Sequence, residues 1–198
     1  MRADAIVFGI AGTLFGVIIG WVLGSQQAAG TARTAAPVAQ SAQAQPQAPP
    51  AQQAAPIDPA RVKALEDEAA KDPKDARPRV QLGNLFFDGE KYPDAITWYE
   101  RALTLAPNNP DVSTDLGVAY YYTNQNDRAL AQFDRSLAID PKHIKTLLNV
   151  GIVRAFGKQD LAGAGQAWQR VVELAPDSPE GQAAKKGLEG IQSASGGK

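Results

Sequence analysis

Residues 110–143 read PDVSTDLGVAYYYTNQNDRALAQFDRSLAIDPKH, and this stretch holds one complete unit of the pattern that decides the fold. Amphipathic segments with helical spacing are separated here by polar breaks, which predicts two helices joined by a short turn. Asn109 and Pro110 predict an N-cap followed by proline at the first helical position. The second helix is predicted to stop before Pro141, because proline cannot continue a helix.

The same unit occurs before and after this stretch. Prolines at four equivalent positions are 34, 34 and 35 residues apart, namely Pro73, Pro107, Pro141 and Pro176. An apolar residue followed by glycine recurs as Leu82-Gly83, Leu116-Gly117 and Val150-Gly151. An alanine followed four residues later by an aromatic residue recurs as Ala95/Tyr99, Ala129/Phe133 and Ala164/Trp168. A period of this length predicts a stack of helix pairs, with the one extra residue of the third unit placed near Leu161 to Gly163.

In combination, these residues resemble the tetratricopeptide repeat, with its L-G-x2-Y, A-x3-F and P pattern. The resemblance extends over most of residues 57–192 and implies an all-α, right-handed superhelix of three helix pairs with flanking capping helices. It places the repeats at 76–109, 110–143 and 144–177. A preceding helix is predicted from Pro59 to Lys71 and a capping helix over 179–192, followed by a disordered tail at 193–198.

The small residues suit such packing, because glycine on the first helix facing alanine on the second allows a close antiparallel approach. Phe86 and Tyr120 follow their glycines by three residues, and Arg154 stands where the third unit should have an aromatic residue. That departure predicts altered packing in the first helix of the third pair.

The N-terminal region has a different character. Ile6 to Leu23 is uncharged, and as a helix it measures about 27 Å, close to the bilayer core. We expect residues 1–25 to form a single transmembrane anchor; the alternative is a signal peptide cleaved after Ala28-Ala29-Gly30. Small residues recur every fourth position at Gly12, Gly16, Gly20 and Gly24. Their spacing favours association of membrane helices, although glycine is also common in such helices generally.

The charges flanking this segment suggest its orientation. Arg2 precedes it and no basic residue follows before Arg33, which predicts a cytoplasmic N-terminus and a periplasmic or otherwise extracytoplasmic repeat domain. Residues 26–56 are rich in Ala, Gln and Pro with Arg33 as their only charge, and we expect a disordered linker. The expected location is therefore the inner (cytoplasmic) membrane, with a single pass.

Composition argues against several function classes. The chain has 20 Lys and Arg against 21 Asp and Glu, which offers nucleic acid no general attraction. It has no cysteine and one histidine, so we expect no metal site, no cofactor and no enzymatic activity. The single His143 is predicted to be an exposed turn residue.

The resemblance implies a binding groove on the inner face of the first helices. The inward positions are Arg77, Val80, Gln81, Asn84, Phe87, Asp88, Asp111, Thr114, Asp115, Val118, Tyr121, Tyr122, Lys145, Leu148, Asn149, Ile152, Ala155 and Phe156. From these we predict a peptide-binding groove of Asn84, Phe87, Val118, Tyr121, Tyr122, Lys145, Leu148, Asn149, Ile152 and Phe156, with Tyr120 as a packing residue. Chaperone-docking members of the family clamp a C-terminal carboxylate with Lys, Arg and two Asn. Here only Asn84 and Lys145 match, while Val80, Asp115 and Asn149 replace other clamp residues, so no clamp is expected.

These features predict a membrane-anchored adaptor whose groove binds a partner polypeptide. The stretch from Ala167 to Glu180 resembles the last repeat of tetratricopeptide proteins in cytochrome c maturation and envelope assembly. Two alternatives stay open. One is a structural platform that forms a homo-oligomer through the glycine face of its anchor. The other is an accessory subunit of an enzyme complex on the cytoplasmic side.

Overall fold

The computed structural model describes residues 56–196, which fall in one compact unit. The predicted membrane anchor, its four glycines and nearly all of the predicted linker lie outside these residues. Within 56–196, no helix is both long enough and apolar enough to cross a membrane.

The described part of the chain has eight α-helices and no strand. They are α1 (Pro59–Lys71), α2 (Arg77–Asp88), α3 (Tyr92–Leu105), α4 (Pro110–Tyr122), α5 (Asn126–Ile139), α6 (Ile144–Ile152), α7 (Leu161–Leu174) and α8 (Pro179–Gly196), with a π-helix at Val153–Gly157. Each helix contacts the next, α4 also contacts α6, and α6 contacts α8. The fold is thus a superhelix of three pairs, α2–α3, α4–α5 and α6–α7, flanked by α1 and α8.

The predicted caps begin their helices. Asn109 accepts a hydrogen bond from the Val112 amide at 3.1 Å, and Ser178 accepts one from the Gly181 amide at 3.0 Å. At the C-terminal end, α8 runs to Gly196, so four residues of the predicted tail are helical. Lys185, Lys186 and Glu189 are exposed on α8, as expected for an outer capping helix.

The glycine of each first helix lies against the aromatic ring of the second helix in the same pair. A Cβ added at these glycines would overlap the ring, in the pairs Gly83/Tyr99, Gly117/Phe133 and Gly151/Trp168. The facing alanines are fully buried as well, but the nearest atoms to each glycine belong to the ring. Close approach of the two helices therefore requires glycine at this position.

The extra residue of the third repeat lies upstream of the predicted place. Each pair turns through a residue with positive φ, at Glu90 (57°), Asn124 (60°) and Gln159 (56°), so the insertion precedes Gln159. There the Lys158 amide donates to the Val153 carbonyl five residues back, which is π-helical geometry. A π turn absorbs one residue without ending the helix, and the prediction near Leu161 to Gly163 was wrong for that reason.

A buried polar cluster joins the second and third pairs. Thr146 is fully buried, and its hydroxyl lies 2.5 Å from that of Thr114, 2.8 Å from that of Ser136 and 2.6 Å from His143 Nδ1. The His143 side chain is only 15% exposed, and its Nε2 lies 3.2 Å from Asp111. The prediction of an exposed histidine was wrong, because the turn before α6 folds onto the start of α4. Thr114, one of the inward positions, is likewise buried.

Two glycine substitutions test the helix-pair contact. Gly117→Ala should lower the free energy of unfolding by about 1–3 kcal/mol, because the methyl group overlaps Phe133. Gly190→Ala, in α8, is the matched control, since its added Cβ meets nothing within 4 Å. Alanine is the better helix former, so this variant should be unchanged or up to about 1 kcal/mol more stable. Urea denaturation followed by circular dichroism measures both; equal stabilities would contradict the account.

Candidate functional site

Four aromatic side chains meet where α2 and α4 end and α3 begins. Tyr92 and Tyr122 are stacked, with ring centroids 4.6 Å apart and planes 9° from parallel. Phe87 packs edge-on against both, at 5.4 Å from Tyr92 and 5.9 Å from Tyr122, and Tyr121 lies 6.0 Å from Tyr122. We call these four residues the aromatic surface. Three of them were predicted as groove residues, and the structure brings those three together.

Tyr92 was missed by the sequence reasoning, which drew the groove from first helices alone. It is the first residue of α3, and the short turn at Gly89–Lys91 returns it to the end of α2. Its position beside Pro93, directly after a predicted turn, was the signal that could have placed it next to Phe87.

The aromatic surface is partly open. Tyr122 is 40% exposed, while Phe87, Tyr92 and Tyr121 are half-buried. Burial raises the pKa of the Tyr92, Tyr121 and Tyr122 phenols still further above neutral pH, and the protonated hydroxyls can donate hydrogen bonds. The neighbouring Tyr120 is buried, as predicted for a packing residue, and its hydroxyl donates to Glu100 at 2.5 Å.

The remaining apolar residues of the predicted groove differ in exposure. Val118, Leu148 and Ile152 are half-buried and pack on the core. Phe156 is 49% exposed, and no ring contact joins it to the aromatic surface among the described residues. Ala155, expected to point inward, is buried; it lies within the π-helix, whose wider turn departs from the α-helical spacing on which that expectation rested. The structure thus assembles the Phe87 end of the groove and leaves Phe156 apart.

The polar groove residues have separate local partners. Asn84 is exposed and its side-chain oxygen accepts a hydrogen bond from the Tyr99 hydroxyl at 2.8 Å, which leaves its amide NH₂ for a ligand. Asn149 donates to the Lys145 carbonyl of its own helix at 2.8 Å, and Lys145 is exposed. A bound peptide can therefore accept hydrogen bonds from both N–H groups of the Asn84 amide and from the remaining N–H of Asn149, and it can pair with the Lys145 cation.

Asp115 introduces negative charge beside them. Burial is the main factor that raises the pKa of its carboxyl; the carboxylates of Asp111 and Asp88 add to this, while Lys145 and His143 act in the opposite direction. Within residues 56–196, no group of His, Cys, Asp and Glu side chains is arranged to hold a metal ion.

The shifted carboxyl predicts a pH dependence of stability. The folded chain holds the Asp115 proton more tightly than the unfolded chain, so stability falls as pH rises from the ordinary pKa of 3.8 toward the raised value. Asp115→Asn should therefore raise the free energy of unfolding at pH 7, and the gain should shrink at pH 3. Denaturant titrations at both pH values measure this. Asp134→Asn, at an exposed carboxylate of α5, is the control and should show no such gain. A gain that is equal at both pH values would contradict the argument.

Comparison with known proteins identifies the repeats. Residues 83–123 match the family model described as TPR repeat, and residues 114–179 match the model described as Tetratricopeptide repeat. The chain is 30% identical over 126 residues to the heat-shock protein cognate co-chaperone sgt12 of Aspergillus fumigatus, covering 61% of this chain and 36% of that protein. It is 32% identical over 135 residues to the cytochrome c-type biogenesis protein CycH of Pseudomonas aeruginosa, covering 66% of this chain and 32% of CycH.

A solved structure, the first TPR of Spaghetti (RPAP3) bound to the HSP90 peptide SRMEEVD, superposes with a TM-score of 0.56 at 28% identity. The match covers 61% of this chain and 95% of that one. The chain thus spans about a third of the length of the two relatives above and nearly all of this isolated domain. The two family models together match residues 83–179, and this range includes all four residues of the aromatic surface. Residues 83–179 of this chain are tetratricopeptide repeats.

Proposed function

We propose that this chain is a membrane-anchored, non-enzymatic adaptor that binds a partner polypeptide against the inner face of its first helices. The observation that carries the proposal is the aromatic surface: Phe87, Tyr92, Tyr121 and Tyr122 form one packed group that stays partly open to solvent. Aromatic side chains offer a large contact area at a low cost in conformational entropy, and they are enriched where partners bind.

The geometry of this group favours recognition over a purely structural role. Stacking on Tyr92 and edge contact with Phe87 hold the Tyr122 ring in place before any ligand arrives. A pre-organised ring loses little freedom when a partner covers it, so more of the contact energy appears as affinity. Phe87 and Tyr121 also pack on the core, but unlike the core residue Phe133 they stay partly exposed to solvent.

The relatives suggest where such an adaptor works. The likeness to CycH, a cytochrome c-type biogenesis protein, supports a role in cytochrome c maturation. The resemblance of Ala167 to Glu180 to envelope-assembly proteins makes cell-envelope assembly the second candidate. The apolar stretch from Ile6 to Leu23 would supply the anchor, and the linker at 26–56 would allow the domain a reach of about 30 Å. The resulting protein would act on a polypeptide partner outside the cytoplasm.

A matched pair of variants tests the binding surface. Tyr122→Ala should weaken binding of the partner by about 2 kcal/mol, a roughly 30-fold rise in Kd, because it removes the exposed ring of a packed aromatic group. Leu105→Ala at the end of α3 is the control, since Leu105 is 37% exposed, close to the 40% of Tyr122, but lies outside the groove. The partner is recovered from membranes by pull-down and titrated against each variant. An equal loss of affinity for both variants would show that the binding surface does not lie on the first helices.

A reporter fused after Lys198 separately tests on which side of the membrane the repeat domain lies. We expect activity only for reporters that function outside the cytoplasm, because Arg2 is the sole basic residue before the apolar stretch. A fusion that is active in the cytoplasm would instead favour an accessory subunit on the cytoplasmic side.

A further inference from the structure

We propose that the groove takes a segment that places a Lys or Arg side chain beside an apolar one, and that it rejects segments ending in acidic residues. The inference rests on the proposed function and specifies the chemistry of its partner. It follows from the charges around the aromatic surface and from how few of them are neutralised.

Three carboxylates border the aromatic surface. Asp88 directly follows Phe87 at the end of α2, and Glu90 is close enough to Tyr92 and Tyr122 to act on both phenols. Asp115 precedes Tyr122 by seven residues on α4, which puts the two on the same helix face. Asp88 also acts electrostatically on Asp115, so the three charges share one region of the surface.

These carboxylates have no ion-pair partner among residues 56–196. Lys145 is the one cation of the predicted groove residues, and it acts on Asp115 without forming an ion pair. Arg77, at an inward position of α2, is held by Asp75 through hydrogen bonds of 3.0 and 2.8 Å. Lys91, between Glu90 and Tyr92 in the sequence, is exposed and forms no ion pair among residues 56–196. The three carboxylates still outnumber Lys145 and Lys91, so the groove around the aromatic surface is negative on balance, and half-buried Asp115 is screened less by solvent than an exposed carboxylate.

This combination matches one ligand chemistry. A Lys or Arg side chain is attracted by the face of an aromatic ring and by a nearby carboxylate, and its apolar stem can pack on the rings. An acidic segment with a free C-terminus would instead bring like charges together beside Asp115 and Asp88, which suppresses binding. Two residues that stand where other family members have carboxylate-clamp residues also disfavour an acidic C-terminus. Val80 carries no charge, and Asp115 carries a negative one.

Two peptides of equal length test the inference with the full chain. One is SQMEEVD with a free C-terminus, and the other is SQMKKVK with an amidated C-terminus, so that the apolar residues are the same and only the second peptide carries Lys. Fluorescence anisotropy should show at least a tenfold lower Kd for the basic peptide at low salt, and the difference should narrow as salt rises. A lower or equal Kd for the acidic peptide, or no detectable binding of the basic one, would overturn the proposal.

A triple variant tests whether these three carboxylates cause the preference for the basic peptide. Asp88→Asn, Glu90→Gln and Asp115→Asn together should abolish the tenfold difference. The control is Asp134→Asn, Glu173→Gln and Glu189→Gln, which makes the same change in net charge at exposed positions of α5, α7 and α8 and should keep the preference. If both triple variants lose it equally, the preference reflects overall charge and the inference fails.

Tyr122→Ala separates this inference from the proposed function. Suppose that Tyr122→Ala weakens the binding of both peptides, and that the unmodified chain binds the acidic peptide more tightly than the basic one. The groove is then the binding surface, and only the charge assignment is wrong. If the basic peptide binds Tyr122→Ala as well as it binds the unmodified chain, the groove itself is not the binding surface, and both proposals fail.

Discussion

The contact between a glycine and an aromatic ring within each helix pair is the constraint on which the rest of the structure depends. Gly83, Gly117 and Gly151 lie so close to the rings of Tyr99, Phe133 and Trp168 that no side chain fits between them. This fixes one side of each first helix against its partner helix. Phe87 and Tyr121 follow their glycines by four residues, one turn nearer the C-terminal end of each first helix, and there they gather with Tyr122.

Two further features keep the pairs in register. The cluster of Thr114, Ser136, Thr146 and His143 satisfies every hydroxyl it buries, and it joins α4, α5 and α6 at one point. Such a network favours a single arrangement of the second and third pairs, because any slip would leave buried polar groups without partners. The π-helix then absorbs the extra residue of the third repeat, so α7 still packs Trp168 against Gly151.

The periodic part of the fold could be predicted from the sequence, and the non-periodic part could not. Proline spacing located the helix pairs, and the resemblance to the tetratricopeptide repeat placed Phe87, Tyr121 and Tyr122 on the inner face of the first helices. Tyr92 and His143 were missed or misjudged because their contacts join residues across a turn or between pairs, which spacing along one helix does not reveal. The insertion was misplaced because one extra residue leaves the same proline spacing wherever it falls in the repeat.

The central claim is that the inner face of the first helices is the surface that partners contact. Site-specific photocrosslinking in cells tests it most directly, with a photoreactive phenylalanine in place of Tyr122 or Leu148 on that face, and of Leu105 or Ile139 at the ends of second helices. The account predicts crosslinks to one common polypeptide from the first two positions and none from the other two. Crosslinks concentrated at Leu105 and Ile139 would contradict it.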